Sequence, residues 1–155
     1  MSVSGQALGD VLREQAGLYE TLLGILGREE GALARGATAE VAECVTLKEA
    51  LSHRLRLVEE RRWEVVQRLA GRGDAPLSAI RGADTGDVAE ARARLRLVLE
   101  NVQRANRRVE ALVARTLTRI ARTLDHLRDV VGADRQYTAD ARLVSSAVRR
   151  IDGSV

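Results

Sequence analysis

The sequence predicts an all-α fold: an elongated antiparallel bundle or coiled coil of three long helices, with a short helical turn in the 71–86 connection and a mobile C-terminal tail. Three observations carry this expectation. Apolar residues recur at alternating spacings of three and four along most of the chain, which is the period of a helix and not of a strand. The 155 residues include one Trp, two Tyr and no Phe, whereas compact sheets and enclosed ligand pockets lean on aromatic and β-branched side chains. Ala, Leu, Val, Arg and Glu dominate instead, with 30% charged residues and a single Pro, the composition of long helices.

The first helix is expected over about 4–36. Leu8, Val11, Gln15, Leu18, Leu22, Ile25, Glu29 and Ala32 form its seam, six of the eight being apolar, and Leu12, Tyr19, Leu26 and Leu33 widen it on one side. Gly17, Gly24 and Gly31 fall seven apart on another face. Each interior Gly costs roughly 0.5–1 kcal/mol relative to Ala, so this helix should be the loosest of the three. Its glycine row reads either as a close-approach seam for a partner helix or as plain exposed surface.

Gly36 ends that helix, and Thr38 is the expected N-cap of the second, over 38–70. There the seam runs Val41, Cys44, Lys48, Leu51, Leu55, Val58, Arg62, Val65 and Leu69, seven of nine being apolar. Lys48 and Arg62 can lay their stems over the core and keep their charge in water. So short a connection makes the two helices an antiparallel hairpin.

Residues 71–86 collect the only Pro and four Gly. They read as a loop, with one helical turn through Pro76–Ile80. From Asp87 to Val131 follow 45 residues without Gly or Pro, the third helix. Its seam is Ala91, Leu95, Val98, Val102, Ala105 and Val109, and then shifts by one residue to Val113, Leu117, Ile120, Leu124, Leu127 and Val131. That stutter locally relaxes left-handed supercoiling. Gly132 is expected to stop the helix, so that 1–132 form the bundle and 133–155 a flexible or weakly helical tail.

The chain has the size of one domain. Its 25 basic residues nearly balance 22 acidic ones, for a net charge of +3, so the pI near 9.7 overstates how basic the surface is. A single Cys, Cys44, cannot form an internal disulfide and fits a reducing compartment. The opening Met-Ser-Val-Ser-Gly-Gln lacks the basic start and apolar stretch of a signal peptide. No stretch approaches the roughly 18 apolar residues of a membrane span. The expectation is a cytoplasmic protein without membrane insertion.

Catalytic and metal sites need converging polar groups of suitable types. His53 and His126 are the only two His. Neither completes a Glu-x-x-His pair, since Ala50 and Thr123 stand three positions earlier. Cys44 has no Cys or His beside it for zinc and reads as a small core residue. Phosphate-loop, GxSxG and HExxH motifs are missing. No enzyme, cofactor or metal is expected. From Asp87 to Val131 there are ten Arg against six acidic residues, and a basic helix can track phosphates. Acidic residues interrupt these positives, however, and no aromatic residue lies among them to stack on bases. A solvated charged face is the better account, and no nucleic acid is expected. Heptads alone describe a coiled-coil adaptor or scaffold equally well.

The local sequence resembles the FlgN family of flagellar export chaperones over nearly the whole chain. The residues that carry the likeness are Leu33-Ala34-Arg35-Gly36-Ala37-Thr38 at the turn, then Leu47-Lys48-Glu49-Ala50-Leu51 and Val58-Glu59-Glu60-Arg61-Arg62 in the second helix. Ala105-Asn106-Arg107-Arg108 resembles the family's Asn-rich patch in the third helix and leads into the stripe Val109–Leu127. Gln136-Tyr137-Thr138-Ala139-Asp140-Ala141-Arg142 resembles its Tyr-containing segment. The chain departs from the pattern at Val109-Glu110, where many relatives carry Asn-Gly. The resemblance implies a cytosolic chaperone that escorts hook-associated proteins, those of the hook–filament junction, to the flagellar type III export gate without cofactor or nucleotide. It also implies that Tyr137 takes part in docking on the cytosolic domain of that gate.

Client binding is expected where the apolar stripe outruns the hairpin. Helices of 33 residues reach about 50 Å, against about 67 Å for the third helix at 1.5 Å per residue. The stretch left over puts Val113, Leu117, Ile120, Leu124 and Leu127 forward as client-binding residues. A tail folded back over them would be the competing arrangement, and the heptads also allow a homodimer.

Overall fold

A computed structural model describes the backbone of residues 3–81 and 86–152 and the side chains of residues 5–81 and 86–133. Its elements are α1 (Val3–Arg35), α2 (Thr38–Ala70), a 3-10 turn (Leu77–Ala79) and α3 (Gly86–Asp152). No strand occurs among the described residues. The all-α fold with three long helices is therefore as the sequence predicts. By contact the chain divides into two units, Met1–Val113 and Ala114–Val155.

The first unit is built on the α1–α2 hairpin. Gly36, at φ +69, closes α1 as a left-handed cap. Its N–H donates to Leu33 O at 3.3 Å, and the N–H of Ala37 donates to Ala32 O at 2.9 Å, which satisfies two terminal carbonyls. Thr38 is not the N-cap. Ala37 occupies that position without a side-chain cap, and Thr38 is already inside the helix. The Ala37 carbonyl accepts from Val41 N–H at 3.1 Å, so the second helix starts on backbone geometry alone. At its far end Gly71 (φ 75) donates its N–H to Gln67 O at 2.8 Å.

The seams are where periodicity puts them. Leu8, Val11, Leu18, Ile25 and Ala32 of α1 are buried, as are Cys44, Leu51, Val58 and Val65 of α2, with Leu22, Leu55 and Leu69 packed against them. Two polar seam positions of α1 are buried as well. Gln15 Nε2 donates to Glu59 Oε2 at 2.6 Å, and Glu59 also accepts from the Arg62 guanidinium. Glu29 accepts from Lys48 Nζ at 2.9 Å.

Within this unit α3 lies along α1 in the same direction. Arg94 makes a two-pronged bond to Glu20, both contacts at 2.8 Å, and Arg108 reaches Glu30 at 3.2 Å. Val88, Ala91 and Val98 are buried. Ala105 and Val109 form a second cluster with Leu26. Between α2 and α3 the connection tucks Ile80 into the core, with Ala75 and Leu77 packed beside it.

The second unit is the remainder of α3. The helix passes through Gly132, where the sequence suggested a stop, and ends at Asp152. A lone Gly costs a helix only about 1 kcal/mol, and no Pro follows to enforce a break. The mobility expected of the tail falls on residues whose side chains lie outside the described ones.

Candidate functional site

An α-helix turns by about 100° per residue. On α3, Leu117, Ile120, Leu124, Leu127 and Val131 therefore share an arc of roughly 80°, about 21 Å long at 1.5 Å per residue. All five are exposed large hydrophobics, Leu117 at 61% and the others near half, and Val130 joins them at the edge with 51%. Isolated exposed Leu residues are ordinary on protein surfaces, whereas a contiguous apolar row marks an interaction site.

The sides of the row are as telling as its centre. Thr116 and Thr123 border it on one side, and Ala114 and Ala121 on the other, with Arg128 next to them, held by Asp125 at 3.5 Å. Arg115, Arg119 and Arg122 fall on roughly the opposite face, where with Ala114 and Thr118 they line a shallow groove. A helix laid on the apolar row would meet small or uncharged neighbours except at Arg128, which Asp125 engages. Its grip would come from burial and shape, with little charge steering.

Of the five residues put forward from the sequence, four lie together on this row. Val113 differs: it belongs to the first unit and packs, half-buried, against the cluster of Leu26, Ala105 and Val109. Val130 and Val131 are exposed members that the sequence reading left out of the site, although Val131 was already in its seam. Tyr137 lies in the helical span of α3, but its side chain is outside the described residues.

Among the described residues no group of three or more His, Cys, Asp or Glu could hold a metal ion, and no helix is long and apolar enough to cross a membrane. Cys44 is fully buried in the hairpin core. The polar layer around Gln15 shifts titratable groups, Glu59 and Tyr19 among them. The Arg62 guanidinium hydrogen-bonded to Glu59 holds that carboxyl below its ordinary 4.5. Burial, with the Glu59 charge nearby, pushes the Tyr19 hydroxyl above its ordinary 10.0. Both effects belong to hairpin packing.

Comparison with known proteins adds a family. The model described as FlgN protein matches residues 1–145, which takes in the hairpin, the connection and the exposed row. Neither the curated proteins nor the solved structures gave a significant match. With 145 of 155 residues matched, the chain belongs to the FlgN family of flagellar export chaperones.

Proposed function

We propose that this chain binds an amphipathic helix of the hook–filament junction proteins on the row Leu117, Ile120, Leu124 and Leu127, and carries it through the cytosol to the flagellar type III export gate. The observation that supports this reading is the row itself: a face at helical spacing, half-exposed along its length, with no charge at its centre. Amphipathic helices waiting to assemble would self-associate through their apolar faces, and a helix in a groove is a standard way to cover such a face.

The magnitudes suit a carrier that must let go. Fully burying a Leu, Ile or Val side chain contributes about 1.5–3 kcal/mol, so five half-exposed residues offer roughly 4–7 kcal/mol. Association costs an estimated 4–15 kcal/mol in lost freedom. The row alone therefore gives weak binding, and the client has to add contacts of its own, which leaves release within easy reach.

The test is direct binding of the purified full-length chain to hook–filament junction proteins, with Leu124→Asp as the variant. Losing half a leucine's burial and desolvating a carboxylate together exceed about 1.4 kcal/mol, so affinity should fall at least tenfold. Helix content, read by circular dichroism, should stay near that of the parent. Unchanged affinity in a folded variant would move the client site elsewhere.

A further inference from the structure

Trp63 is the only Trp in the chain, and 47% of it is exposed on α2. An exposed indole in so aromatic-poor a protein stands out, because Trp is among the residues most enriched at binding hot spots. The ring is also held in place. Gly73 is buried against it, and a Cβ built there would overlap Cε2, Cδ2 and Nε1 of the indole. Only a glycine lets the 71–74 backbone approach the ring this closely. A side chain fixed before binding loses little freedom when a partner arrives.

Next to the indole, Glu59, Glu60 and Glu64 line a shallow groove of about 410 Å³. Glu59 is committed to Gln15 and Arg62. Among the described residues Glu64 has Arg68 at 3.9 Å and no ion pair engages Glu60. These two carboxylates sit one turn apart, about 6 Å along the axis, on either side of Trp63. The groove is thus lined by carboxylates beside the quadrupole of an indole that attracts cations to its face.

We propose that Trp63, Glu60 and Glu64 form a docking point for a basic helical segment of a partner protein. A guanidinium from that segment would lie against the indole while its donors reach the carboxylates. Arg suits this better than Lys, because its planar group both stacks and bonds in a fork. Basic residues four apart on the partner helix match the Glu60–Glu64 spacing. The surface is on α2 within the first unit, separate from the apolar row, and its proposal does not depend on that row's function.

The single Trp makes the site its own reporter. Tryptophan emission of the full-length chain is followed during titration with a capped, Ala-based helical peptide carrying Arg at positions i and i+4. A saturable change that weakens with added salt is expected. Replacing both Arg by neutral citrulline should abolish it. The variant Glu60→Gln/Glu64→Gln should weaken binding at least about tenfold, while Glu90→Gln/Glu110→Gln, with the same change in net charge, should bind like the parent. Equal weakening in both double variants would reduce the effect to overall charge and overturn the proposal, as would citrulline peptide binding as well as arginine peptide. Sedimentation of the chain alone covers the remaining occupant: a dimer that Glu60→Gln/Glu64→Gln dissolves would assign the surface to a second copy and sink the partner reading.

Discussion

Lys48 and Glu29 meet across the hairpin with Nζ 2.7 Å from Oε2, and they occur fourteen residues from the other polar layer in each helix. Gln15 precedes Glu29 by fourteen in α1, and Arg62 follows Lys48 by fourteen in α2. Two heptads return a residue to the same face of a supercoiled helix. The hairpin is therefore pinned in register at two levels, by Glu29 with Lys48 and by Gln15 with Glu59 and Arg62.

Breaking the first layer should be costly because the pair is unevenly buried: the Glu29 side chain is 4% exposed and that of Lys48 27%. Lys48→Met would leave a carboxylate in the seam without its counter-charge. Removing one member of a buried pair typically costs 3–5 kcal/mol, and partial exposure of Lys48 brings the expectation down to about 2–3 kcal/mol. The double variant Glu29→Leu/Lys48→Met should regain most of that loss. Urea unfolding of the three proteins checks both statements, and a single variant as stable as the parent would show that the layer carries no stability.

The second layer predicts a response to acid. Glu59 is held below its ordinary 4.5 by the hydrogen-bonded Arg62, despite partial burial that acts the other way. A carboxyl with a lowered folded-state value contributes stability that is present above its unfolded value and lost as pH falls through the folded one. The loss should therefore begin below about pH 4.5 and continue downward. Half the Glu59 side chain is exposed, so screening keeps the contribution to about 1 kcal/mol or less. Thermal melts between pH 6 and 3 should fall less steeply in Glu59→Gln than in the parent.

Most of the first unit was legible in the sequence, because a spacing of three and four is a property of one helix at a time. Leu8, Leu51, Val98 and Val109 are buried where that spacing puts them. The sequence also had Lys48 and Arg62 in the seam. Their partners were not readable, since pairing Lys48 with Glu29 needs the register between two helices, which no single-helix period contains. Trp63 went unnoticed as a site for a related reason: its contact with Gly73 depends on a loop folding back on α2. Thr38 failed as an N-cap because Ala37 took the position with no side-chain bond at all. In the exposed row the period found Leu117 through Leu127, but Val113 is half-buried against Leu26, Ala105 and Val109, a packing fact that the stripe could not reveal.

Gly132 tests how local propensity and helix continuity trade off. The helix runs through it, and a Cβ built there meets nothing within 4 Å. Gly132→Ala should therefore add about 0.5–1 kcal/mol of local helix stability with no steric penalty. Amide hydrogen exchange at Asp129, Val130 and Val131 should slow by roughly two- to fivefold, following the same energy. Faster exchange there would mean that the backbone needs glycine at this point.

Tyr137 carries the last prediction. By resemblance to its family, it is the residue proposed to dock on the cytosolic domain of the export gate. It follows the exposed row on the same helix, since α3 continues to Asp152. An aromatic ring with a polar tip gives large contact area for the loss of few rotamers, which suits an anchor. On this proposal the row would grip the client and the ring would present the loaded chaperone to the gate. Two variants separate these tasks. Tyr137→Ala should weaken gate binding at least about tenfold, about 1.4 kcal/mol, while client affinity and melting temperature stay near the parent's. Leu124→Asp should show the reverse, with gate binding kept and the client lost. If Tyr137→Ala instead lowers stability and client affinity together, the ring is part of the packing around the helix, and the gate must be recognised by another surface of the chain.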